Sequence, residues 1–325
     1  MLLDHFNFSS KKINLEVEVP EHYQGYRLDF GLSQLLPDYS RSKLAEWIKS
    51  GAVLIDQQPG RGKDKLKGGE RIIITAETTV QAPCEPQAIP LDIVYEDEEI
   101  LVLNKPPGLV VHPAAGHPTG TLVNALLYYC RDLSQLPRAG IVHRLDKNTT
   151  GLMVVAKTLV AHTYLVKSLQ ARAIQRIYQA VAQGRVMGVE KIEAPIGRHP
   201  HYRQKMAVVA SGRPANSEVE VLQRFKGHTH IRVILGTGRT HQIRVHLSHK
   251  GFPLVGDKLY GWHPGAVRYA HSPLQTLLEQ FPRQALHAYS LGLPHPRTQQ
   301  WLSWECPLPL DMRELIEQLE QYKAI

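Results

Sequence analysis

The stretch HRLDKNTTGL, His143 to Leu152, sets an imidazole, a guanidinium and a carboxylate within four residues, then two threonines and a glycine. Asp146 is the only acid between Asp132 and Glu190, an interval otherwise rich in Lys and Arg. A carboxylate among cations is expected to stay ionised at neutral pH, which suits nucleophilic attack or base duty and not proton donation. Asn148, Thr149, Thr150 and Gly151 bring an amide, two hydroxyls and a free backbone that can fix the shape of such a loop. Alone, the same residues also describe a solvated turn with an ion pair.

Two further stretches carry chemistry. In GTGRTHQIRVHLSHKGFP, residues 236–253, Thr240 is placed to cap a helix running to about Lys250, with Gly251 as its stop and Pro253 beyond. Arg244 then falls in the first or second turn, pointing where the preceding loop ends. His246 and His249 share a face at i, i+3, but no carboxylate accompanies them before Asp257, so a metal site is not expected. In RIYQAV, residues 176–181, Tyr178 lies in a strand pattern, where most tyrosines only pack. HRLDKN superficially echoes the kinase loop H-R-D-x-x-x-x-N. Leu145 intrudes before the Asp, Asn148 follows it by only two residues, and the chain has no Gly-rich loop before this stretch and no DFG after it.

The elements that must hold these residues divide the chain. After an arm over residues 1–20, RLDFGLSQLLP puts Leu28, Leu32, Leu35 and Leu36 at helical spacing. YSRSKLAEWIKSG offers Ser40 or Ser42 as a cap and groups Leu44, Trp47 and Ile48 on one face. AVLID and ERIIIT read as strands around the basic loop GRGKDKLKGG, so this small unit has the look of an RNA-binding module. The Pro-containing segment 77–91 reads as a linker. Beyond it, EILVLNKPPGLVVHP reads as two strands broken at Lys105-Pro106-Pro107-Gly108, TLVNALLYYC and AHTYLVKSLQAR as helices, and GLMVVAK, RIYQAVAQG, SEVEVLQRF and THIRVILG as strands. Met312, Leu315, Ile316 and Leu319 mark a last helix.

Charge is distributed unevenly. Residues 77–104 hold seven acids and no Lys or Arg, whereas residues 141–260 carry a net +13 against +8 for the whole chain. A basic field confined to one stretch fits a polyphosphate partner. No run reaches the ~18 apolar residues of a membrane span, and MLLDHFNFSSKK lacks the order of a signal peptide. Three scattered cysteines suit a reducing compartment, so a cytoplasmic protein without disulfides is expected.

Together, GIVHRLDKNTTGLMVVAKT, RIYQAV and TGRTHQIRVHL, preceded by VLNKPPGLVVHP, resemble the motifs of the ribosomal large-subunit pseudouridine synthases, the RluA/RluD family, most closely its RluD branch. Residues 24–75, with RLD, SRSKLAEWI and KLKGGE, resemble the alpha-L (S-four-like) RNA-binding domain. The resemblance implies an α+β protein. Residues 1–76 would form an arm and the RNA-binding domain, 77–91 a linker, and 92–325 a catalytic domain with a mixed, largely antiparallel sheet and a central cleft. It implies isomerisation of uridine to pseudouridine, at several uridines of the helix 69 stem-loop of 23S rRNA.

The site residues follow from the same resemblance. Asp146 matches the essential carboxylate, Arg244 the basic residue paired with it, and Tyr178 the tyrosine that packs on the target base. Arg144 matches the arginine that fills the space left by a flipped uridine. His143, Lys105, Thr149 and His241, and Arg41 and Lys43 in the N-terminal domain, are the further residues expected to bind RNA. Lys105, with Pro106, belongs to the first motif, whose part is mainly architectural. The chain departs from the family at Gly236, where relatives commonly carry an acid, and at Asn148, where Asp is usual. No cofactor or metal is implied, and the partner would be large-subunit rRNA or the assembling subunit, met by a monomer. The rival reading is a non-catalytic RNA-binding protein of ribosome assembly, which leaves Asp146, Tyr178 and Arg244 unexplained.

Overall fold

Seven consecutive buried residues, TGLMVVA, form the strand around which the larger part of the protein is organised. A run with no polar alternation belongs in a sheet covered on both faces. The computed structural model describes residues 11–36, 39, 41–78, 84–114, 116–202, 204–267, 269 and 272–322, without the side chains of 11, 12, 41–43, 77 and 78. The chain divides between Cys84 and Glu85 into two compact units.

In the first unit, strands β1 (Lys11–Glu18), β2 (Val53–Ile55), β3 (Gln58–Pro59) and β4 (Arg71–Thr78) form an antiparallel sheet in the order β1-β4-β2-β3. Helices α1 (Leu28–Leu35) and α2 (Arg41–Lys49) share its core. Leu28, Leu32, Leu44, Trp47 and Ile48 are buried with Ile72 and Ile74, as their helical spacing predicts, while Leu35 and Leu36 pack at the margin. Arg41 and Lys43 fall in the first turn of α2; their side chains, and Ser40, lie outside the described residues. β4 continues to Thr78, into the segment read as a linker, and Asn124 of the second unit donates its side-chain amide to the Glu85 carbonyl (2.9 Å).

The second unit contains β5 (Asp92–Glu96), β6 (Ile100–Lys105), α3 (Leu122–Tyr129), β7 (Thr150–Ala156), α4 (Leu159–Gln170), β8 (Gln175–Gln183), β9 (Glu190–Glu193), β10 (Ile196–Arg198), β11 (Met206–Val208), β12 (Asn216–Phe225), β13 (His228–Leu235), α5 (Gln242–His249), α6 (Pro273–Gln280), β14 (Leu286–Pro294), β15 (Trp301–Glu305) and α7 (Leu310–Glu320). The main sheet runs β5-β6-β7-β14-β8-β13-β12-β9, with β15 also paired to β14, and β10-β11 form a separate hairpin.

Only the β7–β14 pairing is parallel among the described strand pairs of this sheet, and it is short: His287 and Ala288 face Thr150 and Gly151. Beyond it, β14 leaves β7 and takes β15 as its neighbour from Ser290 to Pro294. The sheet therefore forks at the start of β7, where the HRLD loop arrives. Gly151 is required at the fork. Its φ is 110°, and a Cβ there would lie 2.3 Å from the Ala288 carbonyl oxygen. The mixed, largely antiparallel sheet expected from the resemblance is present.

Some elements differ from expectation. The second strand expected after Pro107 is reduced to one bridge, Val110 to Thr121. The backbone of Leu109 turns instead to meet Lys105. β14 and β15, at the middle of the sheet, and β9 to β11 and α6 carry no clear period in the sequence. The acids of 96–99 are absorbed structurally: Glu96 pairs with Lys157, Asp97 with His295, and Glu98 and Glu99 with Arg297. α7 seats Met312, Leu315 and Leu319 against Phe225 and Val255.

Candidate active site

The HRLD loop is held from every side. The His143 ring accepts a hydrogen bond at Nε2 from the Val154 N–H of β7 (3.1 Å). Thr149 N–H donates to the Asp146 carbonyl (3.0 Å), and its hydroxyl accepts from the Gln284 amide (3.0 Å). The Thr150 hydroxyl meets His287 Nδ1 (2.8 Å). From below, Lys105 Nζ donates to the carbonyls of Pro106 (2.6 Å), Leu109 (3.0 Å) and Lys147 (2.9 Å). Arg283 grips Asp311 of α7 with two nitrogens and donates its third to the Asn148 carbonyl (3.2 Å). Segments distant in sequence thus fix the backbone of the loop, not only its side chains.

Asp146 faces α5. Its Oδ2 accepts from Arg244 Nη1 at 2.9 Å. The other two nitrogens of that guanidinium are committed to Asp257, Nε to Oδ2 at 2.7 Å and Nη2 to Oδ1 at 2.9 Å, a bidentate fork. The guanidinium carbon stands 4.9 Å over the Tyr260 ring. Burial opposes the Arg244 charge, but the hydrogen bonds and charges of Asp257 and Asp146 outweigh it and hold its pKa above the ordinary value. Asp257 has a consequence for Asp146: it offsets most of the arginine's charge, so the outer carboxylate is oriented without being fully neutralised. Asp146 Oδ1 has no partner so close. His241 Nε2 lies 3.8 Å away. Burial lowers the pKa of that imidazole, and its Nδ1 is engaged with the Tyr260 hydroxyl (2.7 Å).

Tyr178 pairs with Val233 across β8 and β13 and is buried. Burial pushes its phenol up to about 12, with the Asp146 charge adding to the rise and Arg176 opposing it. At neutral pH it keeps its proton. Arg144 is exposed at the rim of the loop.

Several expectations need correction. Lys105 and Thr149 are not RNA-facing groups, and His143 is half-buried with its Nε2 committed to β7. Lys105 is fully buried, and its three N–H groups match three carbonyls; burial draws its pKa down to about 7, while the three acceptors suit the ammonium form. Thr149 is buried, and the His143 ring is turned to β7. Thr240 caps nothing. The helix starts at Gln242, after His241 in a left-handed conformation (φ 57°), which carries the ring toward Asp146 and Tyr260. His246 is excluded as a ligand because Ser217 Oγ (3.0 Å) and the Ala194 carbonyl (3.0 Å) occupy both its nitrogens. Among the described residues no group of three metal-ligating side chains assembles. Gly236 lies against Asn216, whose Oδ1 would be 2.2 Å from a Cβ at 236, so an acid there requires another residue at 216.

Asp257, Tyr260 and Arg283 escaped the sequence reading. Asp257 had a signal: an acid inside the basic stretch, the same reason that marks Asp146.

The buried imidazoles make a prediction about acid. Burial pushes His143 down to about 3, and His228 and His230 to about 4. Unfolded chains take up these protons below about pH 6.5, and the folded protein does not. Stability should be full above that pH and fall as the pH drops toward 4, by up to ~1.4 kcal/mol per pH unit for each histidine. Urea unfolding at pH 7.5 and 5 measures it, and His143→Gln should flatten the slope. Equal stability at both values would contradict the burial assigned to these rings.

Comparison with known proteins follows the geometry. The family model described as RNA pseudouridylate synthase matches residues 99–249, and the S4 domain model matches residues 27–72. The chain is 54% identical over 312 residues to ribosomal large subunit pseudouridine synthase D of Pseudomonas aeruginosa, covering 96% of this chain and 98% of that protein. It is 50% identical over 309 residues to the protein of the same name in Escherichia coli K12, covering 95% of each. Among solved structures, human RNA pseudouridylate synthase domain containing 4 aligns with 70% of this chain and 93% of its own at a TM-score of 0.55 and 24% identity, a likeness of fold.

Proposed function

The chain belongs to the RNA pseudouridylate synthase family, and from that premise we propose that it converts uridines of large-subunit (23S) rRNA to pseudouridine, at several positions of the helix 69 stem-loop, with Asp146 as the catalytic carboxylate. The observation that carries this reading is the asymmetry of Asp146: Oδ2 is tied to Arg244 at 2.9 Å, while Oδ1 has only His241 Nε2, 3.8 Å away, as a neighbour among the described residues.

Each side chain then has a task. The target base leaves its stack at a cost of a few kcal/mol; Arg144, long, charged and exposed, fills the gap. Tyr178 packs against the extruded uracil. Asp146 acts through Oδ1 as the N1–C1′ bond breaks, either bonding C1′ and leaving when C5 takes its place, or taking the C2′ proton and returning it when C5 bonds C1′. The base turns and C5 bonds C1′. The C5 proton leaves and N1 regains one, so atoms balance without a redox partner. Tyr178, with its proton retained near pH 7, is not the resting acceptor of the C5 proton; the ionised carboxylate is the better candidate. Arg244 keeps that carboxylate aimed, and Asp257 keeps Arg244 aimed. The S4 domain, with Arg61, Lys63, Lys65 and Lys67 on one loop, adds electrostatic hold on rRNA.

The test is pseudouridine mapping of large-subunit rRNA and of ribosomal particles after treatment with purified protein in EDTA. New pseudouridines confined to one stem-loop are expected. None on either substrate would overturn the assignment of rRNA and leave the fold with another structured RNA as its target.

A further inference from the structure

Among the described residues of the second unit, three arginines are buried: Arg176, Arg244 and Arg283. Arg244 is matched by Asp257 and Asp146, and Arg283 by Asp311. Arg176 is different. It is 7% exposed, its Nε is enclosed without a hydrogen-bond partner, and among the described residues no carboxylate pairs with it. A buried, unpaired guanidinium destabilises the fold, because its lost hydration is not replaced.

Its position suggests what completes it. Arg176 precedes Tyr178 by two residues on β8, so both side chains point to the same face, about 7 Å apart along the strand. The positive field of Arg176 reaches both Tyr178 and His143, so it lies near the base-packing tyrosine and the first residue of the HRLD loop. Over it passes Gly238, an exposed residue of the turn before α5; a Cβ there would come within 2.7 Å of Arg176 Nη1. With glycine at 238, no side chain crowds the guanidinium from this exposed turn.

We infer that Arg176, beneath the Gly238 turn, receives a phosphate of the RNA strand, the phosphodiester next to the uridine whose base packs on Tyr178. The inference rests on the proposed function and adds a ligand to the same site. A nucleotide with its base on Tyr178 brings its own phosphate within one nucleotide's length of the β8 start. The planar fork of arginine suits two phosphate oxygens. Binding then supplies the anion that the free protein lacks. The desolvation penalty is carried by the free state and relieved in the complex.

Arg176→Met and Arg176→Lys, with the wild type, should be compared by RNA affinity across a salt series, by thermal unfolding and by pseudouridine formation on the stem-loop. Arg176→Met is expected to weaken binding at least tenfold and to lower the salt slope by about 0.7–0.9, the value of one phosphate contact. Its Tm should hold or rise, because an unpaired buried charge has been removed, and Arg176→Lys should keep the slope. A lowered Tm with an unchanged slope would overturn the inference and make Arg176 a structural strut. Lost turnover with unchanged affinity and slope would overturn it too, in favour of a contact to the base. Absence of pseudouridine with wild-type protein would count against the proposed reaction and leave the slope comparison intact.

Discussion

Asp146→Asn protein should bind rRNA as the wild type does and form pseudouridine at least ~10⁴-fold more slowly, the scale of losing a nucleophile or base. The substitution preserves volume and leaves an amide oxygen to accept from Arg244 Nη1, so the Arg244–Asp257 fork and the loop should persist. What disappears is the charge on Oδ1. Single-turnover kinetics with saturating protein separates the chemical step from binding. Undiminished turnover would remove the carboxylate from the reaction, and lost binding would mean that it shapes the RNA surface instead.

Arg244→Met should damage both activity and stability. Asp257, with a side chain 1% exposed, would be left as a buried carboxylate without its guanidinium. Stranding such a charge costs ~3–5 kcal/mol, and in a unit of this size that lowers Tm by roughly 6–20 °C. Turnover should fall at least ~10²-fold, because the carboxylate loses the donor that aims it. The double variant Arg244→Met with Asp257→Asn distinguishes the two effects: it should regain at least half the lost Tm and none of the lost turnover. A single variant with unchanged Tm would show that Asp257 has other support. Recovery of turnover along with Tm would reduce Arg244 to a structural part.

The sequence made the N-terminal helices legible because Leu28, Leu32, Leu44, Trp47 and Ile48 follow a helical period against a sheet. It made Asp146 legible because a single acid among cations is chemically conspicuous. β14 was hidden for a physical reason: it lies between β7 and β8, covered on both faces, and LHAYSLGLP mixes His, Ser and Gly with apolar residues. Its burial is imposed by neighbours far away in the chain and leaves no alternation. Lys105 was misread as an RNA contact because charge in a sequence suggests a surface, whereas here three carbonyls replace water around the ammonium. The start of α5 depends on the left-handed turn at His241, which no side-chain preference announces.

The place of β14 also bears on how the protein comes into being. A ribosome making this chain releases β7 and β8 long before residues 286–294, and the slot between them stays empty until then. The supports of the HRLD loop are similarly delayed: Thr150 waits for His287, Asn148 for Arg283, and Arg283 for Asp311. Pairings so distant in sequence are slow to form. The basic strands and the S4 domain can already attract RNA while the loop is unset. Competence for the reaction therefore arrives late in synthesis, when residues 283–311 complete the sheet and the supports of the loop.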